Sequence, residues 1–185
     1  MKDEIFSSTR SKMDKAVQAF QKELNRLRTG RASPALLEGI RVDYYGTPTP
    51  LQQTASIAIP ESRLIIIQPW DKTIIEQIEK AIQKANLGIS PMNDGKVIRI
   101  SIPPLTEERR KEIVKMAKKM GEECRITLRN IRRDANESLK KLEKDKTLPE
   151  DEYHRSVDEM QKMTDEHIKR TDEILEEKQE EILTI

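Results

Sequence analysis

The chain has 185 residues, of which 35% are apolar, 3% aromatic and 36% charged, and its formal net charge is +1. This length makes one or two domains, and the apolar share is too small for a single thick core, so long charged helices plus one small, richer core fit better. A net charge this close to zero does not mark the whole chain as nucleic-acid binding, and contact with a polyanion has to rest on where the charge is placed.

From about Lys2 to Arg28, Met13, Val17, Phe20, Leu24 and Leu27 recur in steps of four and three, which predicts a helix. The stretch Arg28-Thr29-Gly30-Arg31-Ala32-Ser33-Pro34 ends it. Gly30 permits backbone angles that other residues resist, and Pro34 biases Ser33 away from helix. Residues 36–104 change character. Val42, Tyr44, Ile57, Ile59 and the run Leu64-Ile65-Ile66-Ile67 are strand-like, and Tyr45-Gly46-Thr47-Pro48-Thr49-Pro50 reads as a turn. Trp70, in a strand-to-helix turn beside Pro69, reads as a core anchor rather than a base-stacking group. Thr73-Ile74-Ile75-Glu76 matches a capping box, with an amphipathic helix running on through Ile78, Ala81, Ile82 and Ala85 to a stop at Gly88. Val97, Ile98, Ile100 and Ile102 suit a last strand. This segment is expected to be a small β/α domain with its own core.

Thr106 to Lys146 contains no proline. Its apolar residues Ile113, Ala117, Met120, Cys124, Leu128, Ile131, Ala135, Leu139 and Leu142 keep one helical face, with Thr106 as N-cap and Glu107 and Glu108 at the positive end of the dipole. Such a helix of about 40 residues is on the order of 60 Å long, too long for a compact globule of this size. An elongated molecule is therefore expected. At about 100° per residue, Lys111, Lys115, Lys118, Arg125, Arg129, Arg132, Arg133 and Lys140 share one arc away from the apolar stripe, with Glu122 the one acid inside it. A solvated helix face normally mixes signs. A nearly single-signed stripe repels itself without a partner, which favours a polyanion contact.

The last helix is expected after a second capping box at Thr147-Leu148-Pro149-Glu150, with Tyr153, Val157, Met160, Thr164, His167 or Ile168, Ile174 and Ile182 on one face. From Glu150 to Ile185 there are 13 acidic and 5 basic residues, against 9 and 14 from Thr106 to Lys146. Opposite bias suits antiparallel neighbours. Three helices with one apolar stripe each bury those stripes together, giving an antiparallel three-helix bundle from residues 1–29 and 106–185. The β/α domain, residues 30–105, is inserted between the first two. Its connections, near 29–34 and 102–105, read equally as a hinge or as a rigid elbow.

Enzyme signatures are sparse. His154 and His167 lie 13 residues apart, not a common metal spacing, and read as helix-surface or bundle-edge residues. There is no phosphate-cradling loop, dinucleotide fingerprint or nucleophile elbow. Cys124 is the single cysteine, so no intramolecular disulfide can form, in keeping with a reducing cytoplasm. MKDEIFSSTR lacks the apolar run of a signal peptide, and no stretch of about 18 apolar residues predicts a membrane span.

Four blocks carry a resemblance: Arg28 to Pro34 (RTGRASP), Tyr44 to Leu51 (YYGTPTPL), Pro103 to Lys111 (PPLTEERRK) and Arg129 to Asn136 (RNIRRDAN). Together they resemble the bacterial ribosome recycling factors over essentially the whole chain. The resemblance implies an α+β, L-shaped protein, a three-helix bundle joined to a β/α/β domain through a two-stranded hinge. It implies binding to the 70S ribosome after termination and splitting into subunits with elongation factor G and GTP, the GTPase being the partner. No cofactor, catalytic residue, metal or membrane is implied, and a cytoplasmic monomer is expected. Arg129, Arg132 and Arg133, with Arg28 and Arg31, are the expected contacts to large-subunit RNA, the family tying the arginine that matches Arg132 most closely to ribosome binding. Thr29, Gly30, Arg31, Ala32, Pro103, Pro104 and Leu105 are the expected hinge. Two rival classes are a helical rod that docks a protein partner and a general RNA binder.

Overall fold

The computed structural model describes residues 1–184. The fold is α+β. In chain order it has α1 (Lys2–Arg26), β1 (Arg41–Tyr44), β2 (Thr47–Pro50), β3 (Ala55–Glu61), β4 (Leu64–Pro69), α2 (Ile75–Lys84), β5 (Pro91–Asn93), β6 (Ile98–Ser101), α3 (Glu107–Lys144) and α4 (Glu150–Leu183). It divides into two compact units: Met1–Leu27 with Lys111–Thr184, and Arg28–Arg110.

The helical unit has one core. Met13, Val17, Phe20 and Leu24 of α1 pack with Ala117, Cys124, Leu128, Ala135 and Leu139 of α3 and with Met160, Met163 and Leu175 of α4. These are the stripes that the spacing predicts for the first two helices. The buried face of α4 is more polar than expected, adding Ser156 and Thr171 to Thr164 and His167. Each hydroxyl donates to the carbonyl four residues back: Ser156 to Glu152 (2.6 Å), Thr164 to Met160 (2.7 Å) and Thr171 to His167 (2.9 Å). A polar group satisfied inside its own helix is tolerated in a core. His167 is buried rather than at an edge, its Nδ1 2.7 Å from the Met163 carbonyl and its Nε2 3.1 Å from Asp14 Oδ1, whereas His154 is exposed. Gly121 lets α3 and α4 approach, since a Cβ there would lie 2.9 Å from Leu175 Cδ2.

The small unit folds around an aliphatic core of Leu37, Val42, Leu51, Ile65, Ile67, Ile78, Ile82, Ile98 and Ile100. Strands β3-β4-β6-β5 make an antiparallel sheet, and β1-β2 a separate ribbon. The alternation of Ile65 and Ile67 with Ile98 and Ile100 turns one face inward, where the apolar stripe of α2 covers it.

Several local expectations are corrected. Only Tyr45-Gly46 forms the turn, with φ of 48° and 84°, as a two-residue type I′ hairpin requires. Thr47–Pro50 returns as β2, and its prolines are accommodated because a two-stranded ribbon has free edges. Thr73 does not cap α2. Asp71 caps the short 3₁₀ turn ahead of the helix, its carboxylate accepting from Thr73 N (2.9 Å) and Thr73 Oγ1 (2.7 Å), and α2 itself has no side-chain cap. The hydroxyl bond from Thr73, then its amide and the Tyr45 hydroxyl, hold the Asp71 carboxyl below its ordinary range. Thr147 makes no capping bond either, and α4 starts from Pro149. Helix α2 ends before Gly88, at Lys84, and it is Asn86, just past the C-cap Ala85, that takes a positive φ of 47°.

Trp70 is not a core anchor: it is 68% exposed. Tyr44 and Tyr45 are also exposed, so the three aromatic residues of this unit all lie outside an aliphatic core that is complete without them. Trp70→Ala is accordingly expected to shift unfolding stability by no more than about 0.5 kcal/mol, read by thermal melting. A loss of several kcal/mol would return it to the core.

Candidate nucleic-acid interface

Helix α3 starts at Thr106, whose Oγ1 accepts from Arg109 N at 3.2 Å, the expected cap. From there the basic residues follow the helical period along the face opposite the core, but the arginines do not share one state. Arg125 is 21% exposed, donates from Nε to Glu122 Oε2 (2.9 Å) and pairs with Asp172 of α4. Its charge is thus neutralised from two sides, and it does not lie clear of the helix packing as the helical projection implied. Arg129 reaches the same carboxylate more loosely, Nη1 to Glu122 Oε1 at 3.3 Å, and is 47% exposed. The bonds from Arg125 first, and then from Arg129, hold the Glu122 carboxyl below its ordinary range.

About one turn further on the pattern changes. Arg132 donates from Nη1 to Gln161 Oε1 of α4 (2.5 Å), and Gln161 Nε2 donates to Asp165 Oδ1 (2.8 Å). Its partner is a neutral amide. Arg133 and Lys140 are exposed and make no hydrogen bond or ion pair among the described residues. Among the described residues Arg132, Arg133 and Lys140 therefore meet no carboxylate directly, and Arg129 meets one only loosely. That arrangement can hold phosphates, by charge and by the guanidinium fork. Sequence reasoning missed Gln161 and Asp165. Their four-residue spacing on one helix is visible, but their relation to Arg132 is not.

Arg28 and Arg31 belong to the other unit, so the structure groups only Arg129, Arg132 and Arg133. Arg28 donates from Nη1 to the Leu87 carbonyl (2.9 Å), while Arg31 is exposed. Around them the backbone is closely held. Thr29 is buried, and Gly30 has φ +77° with the site of a Cβ only 2.9 Å from Leu105 Cγ. Ala32 N donates to the Ser62 carbonyl (2.7 Å) and Ile102 N to the Arg63 carbonyl (2.9 Å). Both chain connections of the small unit are thus anchored to the same β3–β4 turn. Pro103 and Pro104 are exposed and Leu105 is half-buried.

Among the described residues no group of His, Cys, Asp and Glu is arranged to hold a metal ion, and no helix is long and apolar enough to cross a membrane. A cavity of about 540 Å³ between α1 and the second half of α3 is lined by Glu4, Asp134 and Asp145 and by Lys12 and Lys141, a mixed charge that gives it no anion preference.

The family model described as ribosome recycling factor matches residues 20–183. A ribosome-recycling factor of Syntrophus aciditrophicus is 56% identical over 185 residues, covering 100% of both chains. A solution structure of a ribosome recycling factor matches with a TM-score of 0.79 and 42% identity, covering 100% of this chain and 98% of that one. A further structure, described as models for the T. thermophilus ribosome recycling factor and the E. coli elongation factor G bound to the E. coli post-termination complex, matches at a TM-score of 0.67 and 46% identity, covering 99% of each chain.

Proposed function

The chain belongs to the ribosome recycling factor family, and on that premise we propose that it binds the post-termination 70S ribosome and, with elongation factor G and that partner's GTP hydrolysis, splits it into subunits, releasing messenger RNA and transfer RNA. The protein itself is not an enzyme; the GTPase is the partner. It works in the cytoplasm as a monomer and needs no cofactor.

The basic face of α3 docks on large-subunit ribosomal RNA through Arg129, Arg132 and Arg133, and Arg28 and Arg31 add contacts from the small unit. The observation that supports this is the clustering of three arginines on one helical face where only Arg129 meets a carboxylate, Glu122. Residues Thr29 to Ala32 and Pro103 to Leu105 act as the hinge through which a push from elongation factor G becomes strain between the subunits.

The test is light scattering of post-termination ribosomes with this protein, elongation factor G and GTP, an anti-association factor holding the subunits apart. A fall that needs every component is the expected result. Binding to naked RNA as tight as to ribosomes, with no fall, would instead make the chain a general RNA binder.

A further inference from the structure

We propose that Gln161 is a positioning residue for ribosome binding: a neutral clamp that fixes the Arg132 guanidinium without cancelling its charge. This rests on the reading that Arg132 meets ribosomal RNA.

The contacts of Arg125 and Arg132 with α4 differ in one chemical respect. At Arg125 the partner on α4 is the carboxylate of Asp172, and Glu122 adds a second. That arginine is immobilised and its field is cancelled, so it holds α3 to α4. At Arg132, seven residues on and again facing α4, the partner is the Gln161 amide oxygen. An amide accepts a hydrogen bond as a carboxylate does, but carries no charge, so the guanidinium is oriented without a directly paired countercharge, the Asp165 carboxylate being one amide further off, and stays attractive to phosphate.

The orientation of that amide is itself fixed. Gln161 Nε2 donates to Asp165 Oδ1 at 2.8 Å, which leaves Oε1 as the atom presented to Arg132. A flipped amide would set two donors against each other and lose both bonds. Asp165 thus orders Gln161, and Gln161 orders Arg132. Arg132 uses one nitrogen in this contact, and its remaining N–H groups are available for a bidentate grip. A long side chain already held in its binding geometry loses less freedom when it docks. Both α4 groups are exposed, so burial gives no reason for an ordered relay at this place.

The experiment measures binding of the full-length protein to 70S ribosomes by pelleting, across a salt series, with thermal melting alongside. Gln161→Ala is expected to weaken binding about threefold to tenfold because the guanidinium is no longer preorganised, and to leave the slope of log affinity against log salt unchanged. Gln161→Glu keeps the acceptor but adds a charge; it is expected to weaken binding by about tenfold and to make the salt slope shallower by about one. Neither should lower the melting temperature by more than a few degrees. In an Arg132→Ala background, Gln161→Ala should cost nothing further, because its effect passes through the arginine. Gln161→Ala costing as much in that background as alone, or Gln161→Glu leaving affinity and slope unchanged, would overturn the clamp while Arg132 kept its role. Arg132→Ala binding as well as the natural protein would overturn both.

Discussion

Arg132→Ala is expected to weaken ribosome binding about tenfold to a hundredfold, because a hydrogen bond to a charged group contributes roughly 1.5–3 kcal/mol and each 1.4 kcal/mol is tenfold. The fold should hardly notice. Arg132 is half-buried, its one hydrogen-bond partner among the described residues is the exposed Gln161 amide, and alanine is the strongest helix former for a position inside a helix. Helicity by circular dichroism should be unchanged and the melting temperature should move by a few degrees at most. The salt slope should become shallower by about one, as follows when one phosphate fewer is neutralised. Arg125→Ala should give the opposite pattern. Its guanidinium joins Glu122 of α3 to Asp172 of α4, so the bundle should loosen more and binding suffer less. A variant at Arg132 that melted early and bound poorly would make that residue structural as well.

The contrast between Arg125 and Arg132 also marks how far the sequence can be read. The α3 stripe from Ile113 to Leu142 is legible because apolar residues at helical spacing have one stable use. The aliphatic strands of the small unit are legible for the same reason. A projection of α3 alone gives both arginines the same standing, since what separates them is a carboxylate on α4 in one case and an amide in the other. Asp172 lies 47 residues from Arg125 and Gln161 lies 29 from Arg132, so tertiary pairing decides their roles. Ser156 and Thr171 of α4 escape because their hydroxyls are satisfied within one turn, which an apolar pattern does not register. Trp70 is misplaced by sequence because size and hydrophobicity imply burial only in aggregate, and this small core closes with isoleucine and leucine. Thr47-Pro48-Thr49-Pro50 hides a strand because proline argues against strands except where the ladder is open to solvent. Thr73 and Thr147 fit a capping pattern that the local backbone does not use.

Gly30→Val should separate binding from splitting. At φ +77° a β-branched side chain is strained by about 1–3 kcal/mol before any contact is considered. The added Cβ would also lie 2.9 Å from Leu105 Cγ, so Leu105 or the backbone around Gly30 has to move. Both effects fall on the proposed hinge; they leave Arg129, Arg132 and Arg133 untouched and reach only the added contacts Arg28 and Arg31 on either side of Gly30. Ribosome binding is therefore expected to stay within about threefold of the natural protein, under about 1 kcal/mol, while splitting with elongation factor G and GTP slows by about tenfold or more. The two measurements use the same preparation, by pelleting and by light scattering. Gly30→Asn separates the causes, because asparagine tolerates positive φ better than valine but still brings a Cβ toward Leu105. If asparagine restores splitting, the backbone angle is what the hinge needs; if it fails as valine does, the close approach to Leu105 is. Equal loss of binding and splitting in the valine variant would reduce Gly30 to a residue the fold requires and would remove the hinge from the mechanism.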